Sequence, residues 1–430
     1  MATTEEIEWT QSQKRARKEI LDWYHDSPKQ YFVLAGYAGT GKTTLISRIV
    51  NVDLKLEPDV SAMFVTPTGK AATVIIRKGT KAGTVHRLIY QTIEEEYVEI
   101  VQGKEVRRRR IVFRKKPDID SAIKLIIVDE VSMVSDNMLQ DLFSFGVKCL
   151  LCGDTAQLPP VGGTNTLLSS PDFTLTDIVR QAWDNPIIQI ATKARNGERL
   201  PYCNLGDPKT GDVHILPASR VDNWHYAEDR KKMLLHADQI IVGRNATRHK
   251  INREIRSLLG YDVRNPLPQE NEKIICTLNN WETFVDYEER YNLVNGIIGY
   301  AHDVRTYEQD IGQLNFRAEF LQDVIADLVF DTGIFLQGEY AYDFGQTVLA
   351  LSDGSFVPKG DKRGDKDDEA LELRLNRFEL AHAITCHKAQ GSEFDYVAVF
   401  DESYAFADKA RWLYTAVTRA KKRLFILRGE

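Results

Sequence analysis

Cysteine is scarce in this sequence. Five thiols among 430 residues, Cys149, Cys152, Cys203, Cys276 and Cys386, are too few and odd in number for a disulfide framework, and they suit a reducing compartment. Long hydrophobic runs are missing too. Nothing approaches the ~18 consecutive apolar residues of a membrane span, and the stretch from Met1 to Ile7 lacks a basic segment followed by a hydrophobic one. Membrane insertion and secretion are therefore not expected, and a cytoplasmic protein is. Nor is there an excess of positive charge. Lysine and arginine number 56 against 62 acidic residues, a net charge of −6, so any grip on a polyanion must come from local basic patches. No repeat recurs at a fixed period. What is present, 43% apolar and 27% charged residues, excludes wholesale disorder. At roughly 150 residues per domain the length predicts about three units.

Short apolar runs at 31–35, 62–66, 124–128, 147–152, 239–242 and 396–400 read as buried strands. Helical stretches separate them, which predicts an α/β fold with parallel sheets. Cys149 and Cys152 lie in one such run. Their odd spacing puts the two thiols on opposite faces of a strand, as core residues and not as a metal or redox pair. One cluster of elements occupies residues 1–170, and a second takes 171–275 with 376–430. Between the halves of the second, residues 276–375 are β-like, with turn signals at Asn295-Gly296 and Asp353-Gly354, and read as an inserted small β domain. Residues 360–369 carry no apolar side chain and read as a solvated loop. Another insertion spans 93–117. There Glu94, Glu95, Glu96 and Glu99 precede, and Arg107 to Arg110 follow, the glycine turn at Gly103, predicting a hairpin with cross-strand charge pairs. It is either a solvated ribbon or a basic prong that touches phosphates or blocks a duplex.

The segment from Gly36 to Thr43 matches G-x-x-x-x-G-K-[ST] in full, at a strand-to-helix junction. Glycines let backbone N–H groups turn around phosphate oxygens, and the helix N-terminus adds positive potential. Lys42 is placed to neutralise phosphates and Thr43 to hold Mg²⁺. Asp129 and Glu130 end an apolar strand, where one carboxylate can orient the metal and the other can activate water. Gly153 to Gln157 closes another strand with an amide suited to a γ-phosphate or the attacking water.

With these motifs come Gln13, Pro67 to Ala72, Thr84 to His86, Arg180, Thr385 to Gly391 and Tyr414 to Ala420. The ordered set resembles the superfamily 1 helicases, and within them the 5′-to-3′ branch of compact Dda-type and RecD-like enzymes. The resemblance covers nearly the whole chain. It implies two RecA-like lobes, 1–92 plus 118–170 and 171–275 plus 376–430, with 93–117 as a wedge or pin and 276–375 as an SH3-like accessory domain. ATP with Mg²⁺ would sit between the lobes and single-stranded DNA would cross their top.

Carried over by position, Lys42, Glu130, Gln157, Arg180 and Arg419 are the expected catalytic residues. Gln13, Gly36, Ala38, Gly39, Thr40, Gly41, Thr43, Thr44 and Glu393 are the expected nucleotide contacts, with Thr43 and Asp129 on the metal. Pro67, Thr68, Lys70, Thr84, His86, Asn245, Thr385, His387 and Lys388 are the expected DNA contacts. For His86 and His387 a buried hydrogen-bonding histidine is the competing reading. Arginines that reach the phosphate only on closure make hydrolysis depend on closure. The function implied is an ATP-dependent helicase working as a monomer on single-stranded and fork DNA in replication, repair or recombination. Single-stranded-DNA-binding or replisome proteins would be its partners in a bacterial or phage-infected cell. Two alternatives remain: a translocase that displaces proteins or remodels forks without processive unwinding, and a single-lobe kinase or switch.

Overall fold

The computed structural model describes residues 9–77, 80–101, 104–160, 163–179, 184–207, 211–218, 227–264, 268–277, 280–286, 291–293, 295–306, 314–320, 329–331, 348–350, 356–358 and 378–429. Arg180, the hairpin tip at 102–103, the turn signal at 353–354 and the charged segment 360–369 lie outside them.

Two six-stranded sheets organise the chain. In the first, the order from edge to edge is Ala82–Thr84, Ala62–Thr66, Leu125–Val128, Lys148–Gly153, Tyr31–Gly36 and Phe173–Leu175, all parallel. Helices cover both faces, so alternate residues of one strand enter different cores. Phe32 and Leu34 pack with Ile20, Leu45 and Ile49, whereas Val33 and Ala35 pack with Ile89, Val128 and Leu151. Burial on both faces is why these strands are unbroken apolar runs. Each aliphatic side chain withdrawn from water contributes about 1.5–3 kcal/mol. Cys149 and Cys152 divide the same way between the two cores, fully buried and unpaired.

The second sheet runs Ala383–Thr385, Gln239–Val242, Phe394–Asp401, Ala420–Arg428, Gly211–Pro217 and Cys203–Asp207, parallel except at the last edge. One face packs on the helices Pro186–Arg195 and Lys409–Val417, the other on Ala227–His236 and Asn245–Leu259. The protein is thus mixed α/β with two RecA-like lobes. The first lobe also holds Phe173–Leu175, just past its expected limit at 170. A three-residue edge strand carries too short a pattern to be read from sequence.

A five-stranded antiparallel sheet follows the order Val329–Asp331, Leu314–Phe320, Ile298–Thr306, Glu272–Cys276 and Phe378–Leu380. It takes in strands that begin before 276 and end after 375. Asn295 and Gly296 do form a turn, with Gly296 in the left-handed region at φ 93° and its N–H donating to Cys276 O at 2.8 Å. The charged hairpin pairs Tyr90–Val101 with Lys104–Lys115, a register that sets Glu95 opposite Arg110 and Glu96 opposite Arg109.

Candidate nucleotide and DNA site

The strand Tyr31–Gly36 delivers the chain to the middle of the first sheet, and the helix Lys42–Arg48 leaves from the loop that follows. Gly39 and Gly41 take left-handed conformations, φ 78° and 74°. A side chain at Gly41 would also collide with the Gln13 amide, 2.6 Å from an ideal Cβ. The positive φ calls for glycine there, and any side chain would also displace the Gln13 amide. Thr40 is buried and its hydroxyl closes the loop by donating to Tyr37 O at 2.8 Å. The Lys42 ammonium donates to Gly36 O at 2.5 Å and to Tyr37 O at 3.1 Å. Gln13 has both ends of its amide engaged. It accepts from Thr10 N–H at 2.9 Å within a helix capping box and donates to Thr40 O at 3.0 Å, so in this structure it braces the loop.

At the end of the neighbouring strand, Asp129 N–H donates to Val65 O at 2.9 Å, and Glu130 sits in the left-handed region at φ 54° with its N–H on Asp129 Oδ1 at 2.9 Å. A non-glycine residue there costs of order 1–3 kcal/mol, a strain that recurs at functional sites. Removal from water, then Asp129, push the Glu130 carboxyl up to about 7, while Arg419 and Lys42 pull it back. Asp129 and Thr43 share the wall of a cavity of about 410 Å³ with Ile46, Phe64 and Ile75. Gln157 is buried and its Oε1 has no hydrogen-bond partner among the described residues, an acceptor suited to a water molecule. Together with the glycine cradle, a lysine at its mouth and the adjacent hydroxyl and carboxylate, this donor set fits a triphosphate with Mg²⁺.

Arg419 comes from the second lobe. It is buried, its guanidinium donating to Thr415 O at 3.0 Å, Ser392 O at 3.2 Å and Thr418 Oγ1 at 3.1 Å, and its charge reaches Glu130. Glu393 is exposed and faces Lys421 at 3.9 Å.

Of the expected DNA residues, Thr68 and Lys70 stand at the lobe seam. Thr68 caps the helix Gly69–Arg77, its hydroxyl accepting from Ala71 N–H at 3.2 Å. The buried Thr84 does the same for Val85–Ile89. His86 is half-buried against Tyr90 and Phe113, and burial lowers its pKa. Across the seam, Gly391 lies so near that an added Cβ would stand 3.3 Å from Ala71 Cβ and 3.4 Å from Thr68 Oγ1. Lys70 holds its ammonium 5.1 Å from the Phe394 ring centroid. Thr385 precedes the short helix Cys386–Ala389; His387 is half-buried near Phe406. Lys388 is turned onto Glu379, which it shares with Arg248, and Asn245 is exposed at the start of its helix.

Residues 8–205 match the family model described as "AAA domain", and 380–427 the one described as "UvrD-like helicase C-terminal domain". The two segments carry the phosphate loop and Arg419 respectively. The chain is similar to RecD-type proteins along most of its length. It is 28% identical over 402 residues to the ATP-dependent RecD2 DNA helicase of Deinococcus radiodurans, covering 91% of this chain and 46% of that protein. To the RecBCD enzyme subunit RecD of Mycolicibacterium smegmatis it is 26% identical, covering 93% of this chain and 68% of that one. It therefore spans about half the length of the Deinococcus relative. The fold is similar to that of Pif1 helicase from Candida albicans, with a TM-score of 0.52 at 17% identity over 99% of this chain and 95% of that one.

Beyond the expected site residues, further side chains tie distant segments together. Tyr414 donates to Asp154 Oδ2 at 2.6 Å and accepts from Ala38 N–H at 2.8 Å. Gln390 donates to Leu158 O at 3.0 Å, and Thr415 Oγ1 accepts from Leu158 N–H at 3.0 Å. Glu402 is buried and collects donors from Gly243 N, Arg244 and Thr247, fixing the turn from which Asn245 projects. These contacts join segments more than 150 residues apart, so no local pattern announces them.

Proposed function

We propose that the chain is an ATP-driven DNA helicase that moves along single-stranded DNA, 5′ to 3′, and separates duplex at a fork. The observation that carries this reading is that the second lobe reaches the phosphate loop: Tyr414 accepts from Ala38 N–H at 2.8 Å, and Arg419 is buried with its charge acting on Glu130. A nucleotide site completed by the second lobe can tie hydrolysis to relative lobe motion, which a single-lobe kinase or switch has no need of.

The roles follow from position. Loop amides from Gly36 to Thr44 and the Lys42 ammonium bind the triphosphate, and Thr43 with Asp129 holds Mg²⁺. When bound, ATP supplies the free energy of its terminal phosphate bond. Glu130 accepts a proton from the attacking water, with Gln157 orienting that water through its open acceptor. Arg419 stabilises charge that develops on the transferred phosphoryl group, and we assign the same task to Arg180. Glu393 and Gln13 would contact the nucleotide only after rearrangement, since Gln13 now braces Thr40 and Glu393 faces Lys421.

Pro67, Thr68, Lys70, Thr84 and His86 grip DNA from one lobe; Asn245, Thr385, His387 and Lys388 grip it from the other. Hydroxyls and cations that touch phosphates read no sequence, so binding is sequence-tolerant and salt-dependent. Because Thr68 and Gly391 meet at the seam, opening and closing of the nucleotide cleft changes the spacing of the two grips. The hairpin at 93–117 acts as a steric and electrostatic wedge, and the 276–375 insert as an accessory surface for duplex. We place the protein as a monomer in the cytoplasm of a bacterial or phage-infected cell, with single-stranded-DNA-binding or replisome proteins as partners. Among the described residues no helix is long and apolar enough to cross a membrane.

Unwinding of matched duplexes bearing a 5′ or a 3′ overhang tests the proposal. Strand separation that needs ATP and a 5′ overhang supports it; separation only from a 3′ overhang reverses the direction, and none from either leaves translocation without unwinding.

A further inference from the structure

The phosphate loop is touched directly by a second-lobe side chain, Tyr414. This residue is 1% exposed and lies on the helix Lys409–Val417. Its hydroxyl accepts from Ala38 N–H at 2.8 Å and donates to Asp154 Oδ2 at 2.6 Å. A hydroxyl both accepts and donates, which is what bridging an amide N–H and a carboxylate requires. The proton stays on oxygen, since burial and Asp154 both push ionisation of the phenol far upward.

Asp154, 2% exposed, is no passive acceptor. Its other carboxylate oxygen takes Ala156 N–H at 2.9 Å, and its carbonyl takes Gln157 N–H at 3.2 Å. The carboxylate therefore shapes the turn that presents Gln157. The residue after Tyr414 grips the same turn, through Thr415 Oγ1 and Leu158 N–H, while Thr415 O receives the Arg419 guanidinium. One helical segment thus reads the phosphate loop, braces the Gln157 turn and anchors the buried arginine.

We propose that Tyr414 is a positioning residue that registers the second lobe on the phosphate loop, so that Arg419, Gln157 and Glu130 align in one closed geometry. This rests on the proposed reading of the nucleotide site. It adds that alignment is set by a hydroxyl bridge from Ala38 to Asp154 and not by the arginine alone.

The test is a set of steady-state ATP turnover measurements with saturating single-stranded DNA, on the full chain and on Tyr414→Phe, Asp154→Asn and the double variant, each first checked by its melting temperature. Tyr414→Phe keeps the ring and loses both hydrogen bonds. Expected are a kcat lower by roughly 10–100-fold, a KM for ATP changed by less than about twofold, and unaltered nucleotide-free affinity for single-stranded DNA. Tyr414→Phe and Asp154→Asn damage the same bridge, so the double variant should lose much less than the product of the two single losses. A kcat equal to that of the unaltered chain in Tyr414→Phe, a loss expressed only in KM, or losses that multiply would each overturn the proposal. Should Tyr414→Phe fail to fold, Asp154→Asn alone decides, by the same split between kcat and KM. An unaltered chain that turns over no ATP would instead overturn the parent reading of the site.

Discussion

Arg419 and Glu130 belong to different lobes, yet the charge of the first acts on the protonation of the second: burial and Asp129 raise the Glu130 carboxyl to about 7, and Arg419 opposes them. Glu130 must be ionised to accept a proton. Its ionised fraction falls about tenfold per pH unit below its pKa, so ATP turnover should climb between about pH 6 and pH 8 and then level off. A flat profile over that range would remove Glu130 from the role of base.

The same shift has a consequence for stability. Because the folded carboxyl binds its proton more tightly than the ordinary value of 4.5, stabilisation by that proton is complete below 4.5 and lost as pH rises through about 7. Glu130→Gln removes this dependence. Without nucleotide, the variant should melt at an increasingly higher temperature than the unaltered protein as pH rises from about 4.5 to about 7, with a constant difference above that. Thermal melts in a pH series check this; parallel curves would contradict it.

Arg419→Ala should lower hydrolysis by about 10³-fold or more while ATP still binds, as expected for a guanidinium that stabilises the transition state. A second effect distinguishes this from simple damage. With its opposing charge gone, Glu130 titrates higher, so what activity survives should shift to more alkaline pH. Lys42→Ala should abolish turnover and retain DNA binding. Turnover by the alanine variants and binding of a fluorescent ATP analogue measure both.

The five-stranded antiparallel sheet is joined to the second lobe by a buried ion pair, Arg256 with Glu272 at 2.6 Å, the former on the helix Asn245–Leu259 and the latter in that sheet. Arg256→Ala leaves a carboxylate in the interior and should destabilise the protein by about 3–5 kcal/mol. Replacing both residues by apolar ones of similar size should restore most of that loss. Denaturant midpoints for the single and double variants decide, and equal loss in both would show that packing and not charge is at stake.

Lys70, at the seam beside Phe394, is expected to neutralise a DNA phosphate. Lys70→Ala should weaken binding to all single-stranded sequences alike and reduce the slope of log affinity against log salt by about 0.7. An unchanged slope would place the lysine off the DNA path.

Much of this architecture is legible in the sequence for a physical reason. Strands such as Tyr31–Gly36 and Leu125–Val128 are buried on both faces and must be continuously apolar, and a phosphate loop needs glycine where φ is positive. The edge strand Phe173–Leu175 escapes because three residues carry no period. Gln13 is informative in a different way. The resemblance makes it a nucleotide contact, whereas here its amide spans Thr10 and Thr40, a use that depends on where the loop lies in space. Tyr414, Glu402 and Gln390 act through partners distant in the chain, and only folding brings those together.

On this mechanism hydrolysis needs both lobes and is geared to DNA. The most direct test is the rate of ATP turnover by the purified protein with and without single-stranded DNA, beside the same pair of rates for Arg419→Ala. Many-fold stimulation by DNA, lost in the variant, is the predicted result. Equal rates with and without DNA, or a variant as active as the parent, would contradict it.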